Sequence, residues 1–125
     1  MLPTSIRLRQ AAALIGAVGV IAGAFGAHAL RDSLEPAQLA IWQTAVSYLF
    51  WHVLAALFAV RAARAVDDGP ARAAASLFLL GIVIFSGSLF ALALPVPRLI
   101  GMLTPVGGVC LIAAWLVLAW SETRA

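Results

Sequence analysis

Hydrophobic residues run through this chain in four long blocks, residues 10–30, 36–60, 73–97 and 99–121, none of which holds an Asp, Glu, Lys or Arg. Each block reaches the ~20 residues that a helix needs to cross a ~30 Å hydrocarbon layer. In that layer every backbone amide must be satisfied within its own segment, so the pattern predicts helices. The spans are expected near 11–30, 39–60, 73–94 and 99–120. Turn-forming residues fall between them. RDSLEPAQ (31–38) places Pro36 in the first turn of the second helix. Asp68-Gly69-Pro70 marks a turn. Pro95-Val96-Pro97-Arg98 ends the third helix, because a proline ring cannot continue the hydrogen-bond ladder. The last connection is short enough to make a tight hairpin.

Composition agrees with the pattern. Of 125 residues, 64% are hydrophobic and 10% charged, and the mean hydropathy is +1.06. Soluble domains run nearer about 45–50% apolar and about 25% charged. A soluble fold of this size has too much surface to hide so much apolar side chain. The expected fold class is therefore all-α: a polytopic membrane protein, a bundle of four transmembrane helices, with 1–125 as a single integral membrane domain.

Charge then sets orientation. The net charge is +3 and all eight basic residues are Arg. They stand singly between apolar blocks, which fits topogenic loop charges and excludes a nucleic-acid patch. Arg7, Arg9, Arg61, Arg64, Arg72 and Arg124 fall on one side, and Arg31 and Arg98 on the other. The bias puts both termini in the cytoplasm of a multi-pass protein of the bacterial inner membrane. The N-terminal block followed by Ala27-His28-Ala29 imitates a signal peptide. Its apolar run, 11–27, exceeds the usual ~7–15 residues, so the block is read as a retained span. Cys110 is the only cysteine, which excludes an intrachain disulfide or a Cys-rich metal site.

The first helix carries a packing signal. Twelve of the nineteen residues 11–29 are Gly or Ala, with Gly16, Gly19, Gly23 and Gly26 spaced three, four and three. Lipid gives helices no hydrophobic reason to associate, so close backbone approach must do it. This helix is expected to be the packing axis, within the bundle or in a homodimer. Gly107 and Gly108 are expected to serve similarly in the fourth.

The second helix poses a chemical question. Gln43, Thr44, Ser47, Tyr48, Trp51 and His52 lie on one helical face about 180° wide. Unpartnered polar groups are costly in lipid, so the face is expected to look into the bundle. Thr44, Ser88 and Thr104 fall roughly 7–8 Å outward of their span midpoints, and His28 about 12 Å. Tyr48 and Ser86 lie nearer the midplane, and His52 slightly to the cytoplasmic side. Pro105 would free the Gly101 carbonyl and kink the fourth helix at the same depth. The predicted ligand-binding layer is thus His28, Gln43, Thr44, Tyr48, His52, Ser86, Ser88, Thr104 and Pro105. Interhelical hydrogen bonds alone would also account for such a stripe. Trp42 and Trp120, near span ends, read as headgroup anchors, and Trp51 and Trp115 as packing.

These motifs resemble those of the YgdD-like family of small bacterial inner-membrane proteins, a domain-of-unknown-function family with small transmembrane relatives in eukaryotes. The resemblance rests on GAFGAH (23–28), Gln43-Thr44 with Tyr48 and His52, FSGSLF (85–90), and TPVGG (104–108) with Trp115. It implies four helices and no established activity. The resemblance sets a Tyr at the position of Phe90, where this chain lacks that hydroxyl.

The chemistry that remains is narrow. No nucleophile–base–acid set and no cluster of metal ligands is visible, so no enzyme, cofactor or metal is expected. His28 and His52 differ by roughly 16 Å in depth, too far to share a haem iron. The favoured reading is a binding or accessory protein whose polar outer-leaflet pocket takes a lipid-like small molecule or a partner helix. The expected partners are membrane lipids, a second copy, or another membrane protein. The alternative is a small transporter or proton-linked carrier using His52, although no span carries a carboxylate.

Overall fold

The computed structural model describes residues 4–62 and 69–124, and all regular structure among them is helical. The helices are α1 (Thr4–His28), α2 (Pro36–Ala62), α3 (Gly69–Leu92) and α4 (Leu103–Glu122). All four, the last together with the 3-10 turn Arg98–Met102 that precedes it, are long and apolar enough to cross a membrane. Arg7 and Arg9 lie inside α1 and Arg61 in the last turn of α2. Long arginine stems let a helix run past the hydrocarbon while the charge stays in water. Pro36 opens α2. Glu35 precedes it: the Gln38 side-chain oxygen Oε1 accepts from the Glu35 N–H at 3.1 Å, the returning arm of a capping box. Gly69 and Pro70 open α3, while Asp68 of the predicted turn lies outside the described residues, as does Arg64.

Successive helices pack antiparallel, and the registers can be read from single contacts. Gly16 faces Val53, and Gly26 faces Trp42. Ser86 bonds Ala45, while the Phe78 ring meets His52. Gly81 faces Leu111, and Ser88 meets Thr104. The described part of both termini therefore lies at one end, with Arg31 and Arg98 at the other.

Small residues at seven-residue intervals line the seams. Ala12, Gly19 and Gly26 are buried on α1; Ala45 and Ala59, with His52 midway, on α2; Ala74, Gly81 and Ser88 on α3; Gly107 and Ala114 on α4. A repeat of seven keeps one stripe facing a neighbour along the whole helix, and small side chains there let backbones approach.

The expectation that the first helix is the packing axis is corrected. α3 packs along both α2 and α4, whereas α1 lies chiefly on α2 and is the least covered of the four. The reason is that α1 has one glycine seam and its other faces carry Leu14, Val18, Ile21 and Phe25, all exposed to the lipid side. The predicted kink in the fourth helix is also corrected. Pro105 sits in the first turn of α4, and Gly101 belongs to the 3-10 turn before it. The ring therefore stands where 3-10 geometry passes into α geometry, with the Leu103 N–H bonded to the Ile100 carbonyl. No carbonyl is freed in mid-helix.

Candidate functional site

Polar side chains in the half of the bundle away from the termini divide into two sets. One set stitches neighbouring helices together. The Trp42 Nε1–H donates to the Ala22 carbonyl at 2.9 Å, joining α2 to α1. The Ser86 hydroxyl donates to the Ala45 carbonyl at 2.8 Å, joining α3 to α2. The Ser88 and Thr104 hydroxyls lie 2.6 Å apart, joining α3 to α4. Each seam thus carries a side-chain hydrogen bond, and such bonds average about 0.6 kcal/mol in a membrane. Their value is registry: each fixes how far one helix slides along the next.

Trp42 is not the headgroup anchor expected from its position in the sequence. It lies six residues into α2, half-buried over Gly26, with its ring edge-on to Phe90 at a centroid distance of 4.6 Å. The absent side chain at Gly26 makes the room. Trp120 remains exposed beside Arg124, whose guanidinium stacks over its ring at 5.0 Å.

His52 is buried where α2, α3 and α4 meet. Its Nδ1–H donates to the Tyr48 carbonyl on its own helix at 2.6 Å, which fixes the tautomer. The ring is enclosed by Tyr48, Phe78 and Trp115, all within 6.0 Å between centroids. Trp115 also packs edge-on against Phe78, whereas Trp51 is mostly exposed and lies beside the Tyr48 ring. This is a packed aromatic box, and the described helices bring no carboxylate to it.

The second set faces outward. Gln43 and Thr44 are exposed, and Ser47 and Tyr48 are half-buried. Thr44 donates back to the Ala40 carbonyl at 3.0 Å, while Gln43 makes no hydrogen bond among the described residues. The expectation that this face looks into the bundle is therefore corrected in part: His52 is buried and the Tyr48 ring packs on Phe85 of α3, whereas Gln43, Thr44 and Trp51 look outward. α2 turns its small residues inward, Ala45, Ala55, Ala56 and Ala59, because they permit the closest packing. The Gln43–Ser47 part of the polar face is left on the surface. His28 is exposed at the end of α1 and does not join it.

The outward face is not flat. A cavity of about 320 Å³ is lined by Ala40, Gln43, Thr44, Ser47, Tyr48 and Trp51. A second, about 200 Å³, lies between α1 and α2 against Gly23, Gly26, Trp42, Gln43, Val46 and Ser47. Gln43 and Ser47 form the ridge between them. Sequence reasoning missed Gly81, whose place would bring a Cβ within 2.5 Å of Leu111, and the role of Trp42. The seven-residue spacing of Ala74, Gly81 and Ser88 is the signal that marks Gly81.

Residues 22–108 match the family described as "Protein of unknown function (DUF423)". The chain belongs to the DUF423 family. The matched stretch runs from the Gly23–His28 end of α1 to Gly108, and so contains all three interhelical stitches and the Gln43–Ser47 ridge. The chain is 42% identical over 106 residues to a UPF0382 membrane protein of Staphylococcus epidermidis, covering 85% of this chain and 86% of the relative. It is 41% identical over 115 residues to the UPF0382 inner membrane protein YgdD of Escherichia coli, covering 90% and 86%. With a UPF0382 membrane protein of Haemophilus influenzae it shares 38% over 112 residues, 90% of each chain. No solved structure matches it. This DUF423 chain is thus an integral membrane protein of a family without an assigned activity.

Proposed function

We propose that this DUF423 protein is a membrane accessory protein, binding rather than catalytic, whose working surface is the Gln43–Ser47 ridge of α2. The observation that carries the reading is Gln43 itself. It stands about 9 Å outward of the α2 midpoint, well inside the hydrocarbon, with its amide unpaired on an open face. A buried amide without partners costs free energy in lipid, and a helix that offers a polar group at the same depth removes that cost. The two flanking grooves fit the ridges of such a helix.

The occupant is α2 of a second copy. All copies insert in one orientation, so a two-fold axis along the membrane normal brings identical residues together at identical depth. A glutamine amide is both donor and acceptor, so Gln43 complements Gln43 of the other copy. The carrier reading gains nothing, since His52 is bonded to its own helix and enclosed by rings.

On a Cys110→Ser background, Gln43→Cys and Ser47→Cys should form covalent dimers with a short bismaleimide in native membranes. Val83→Cys, exposed on α3, should not. Gln43→Leu should weaken the dimer in nanodiscs by about 1–2 kcal/mol. Monomers throughout, with no cross-link at either ridge position, overturn the reading.

For orientation we propose both termini on the cytoplasmic side, from the excess of arginine at that end. Reporter fusions after Ala125 should give cytoplasmic signals and fusions at Ser33 periplasmic ones. The reverse pair of signals would invert the protein.

A further inference from the structure

At the opposite end from the termini, a cavity of about 420 Å³ lies between the start of α2 and the α3–α4 turn. Its walls are two kinds of surface. Ile41, Leu92, Leu94 and Val96 make an apolar cleft that runs down between α2 and α3. Arg98 and Gln38 stand at the same cavity as its polar groups. Among the described residues Arg98 has no carboxylate partner. The Gln38 side-chain oxygen is already taken by the Glu35 N–H, which leaves its NH₂ as the group it can offer. No Asp or Glu lines the cavity.

The polar side chains thus offer donors, one of them permanently charged, at headgroup level above an apolar slot. We infer that this cavity binds an anionic phospholipid of the adjacent leaflet, with its phosphate on Arg98 and Gln38 and one acyl chain in the Ile41–Leu92 cleft. A guanidinium meets phosphate oxygens with several parallel N–H donors, which a neutral surface or a lysine does not reproduce. This site is separate from the Gln43–Ser47 ridge and stands or falls independently of it.

The test uses the full chain in nanodiscs of equimolar phosphatidylglycerol and phosphatidylcholine, with release of bound lipid read by native mass spectrometry. Phosphatidylglycerol should be retained about fivefold over phosphatidylcholine, the factor that one arginine near an anionic surface is worth. Arg98→Gln should bring that ratio close to one, and Arg31→Gln, outside the cavity, should leave it unchanged. Ile41→Trp fills the cleft without touching the charge, and should also release the lipid. Inorganic phosphate at millimolar concentration should not compete, because it has no chain to bury. Equal retention of the two lipids by the native chain overturns the inference. So does an unchanged preference in Arg98→Gln, and so does displacement by inorganic phosphate alone, which would make the cavity a plain anion site.

Discussion

Replacing Gly107 by Ala should cost this protein about 2 kcal/mol or more, the largest loss expected from any single added methyl group. A Cβ at Gly107 would run into the backbone nitrogen of Phe85 and lie 2.7 Å from its Cα. A side chain in the way can rotate; a helix backbone in the way must move as a whole. Overpacking typically costs about 1–3 kcal/mol, and a clash with backbone belongs at the upper end. The gain in helix propensity on exchanging Gly for Ala returns at most about 1 kcal/mol. The Ser88–Thr104 hydrogen bond lies three residues further from the termini's end along both helices, so separating α3 from α4 here also breaks that stitch. Gly108→Ala is the matched control, since its Cβ would meet the Phe85 ring at an ordinary 3.8 Å. Unfolding in mixed micelles should rank Gly107→Ala far below Gly108→Ala. Equal stability of the two would show that α3 and α4 do not approach as described.

The four helices and their connections were legible because a charge in hydrocarbon is so costly that its absence over twenty residues is itself a signal. The placement of Pro36 and of Pro95–Pro97 was legible for a similarly hard reason, whereas Pro105 was read as a kink because the start of α4 was set four residues too early. The direction of the α2 polar face was not. Reasoning from the cost of unpaired groups turns Gln43 and Thr44 inward, yet packing gains more from burying Ala45, Ala55, Ala56 and Ala59, and one face cannot serve both. Thr44 solves its own problem by bonding Ala40, a local option that a count of polar residues does not register. Of the predicted layer, Ser86, Ser88 and Thr104 meet partners across helix seams, His52 and Thr44 bond within α2, and His28 and Gln43 stay open. Trp42 was misread because nearness to a span end says nothing about which side of the helix an indole occupies. That depends on the register against α1, and the register is a property of two segments together.

The same dependence on register governs the last expectation, in which four glycines of one stripe split into two classes. Gly19 and Gly26 are closed: a Cβ at Gly19 would come within 2.5 Å of Leu49 and 2.9 Å of Phe50, and one at Gly26 within 2.6 Å of the Trp42 indole. Gly16 and Gly23 are open, with Val53 and Val46 at 3.7 and 3.5 Å. Ala at Gly16 or Gly23 should therefore be neutral, or stabilising by up to about 1 kcal/mol through helix propensity. At Gly26 the same change should destabilise by about 2 kcal/mol, because the rigid indole has to leave both its slot and the Ala22 carbonyl. Gly19→Ala should fall between, since Leu49 and Phe50 meet the new methyl with side-chain ends that can turn. Trp42→Phe keeps an aromatic ring on α2 but removes the hydrogen bond and part of the indole's packing, so it should cost more than the about 0.6 kcal/mol of the bond and less than Gly26→Ala. A sequence motif of small residues treats all four glycines alike. Unfolding measurements that also find them alike would remove the antiparallel register of α1 on α2, because only that register sets Gly19 and Gly26 against large side chains at close range and Gly16 and Gly23 against the tips of two valines.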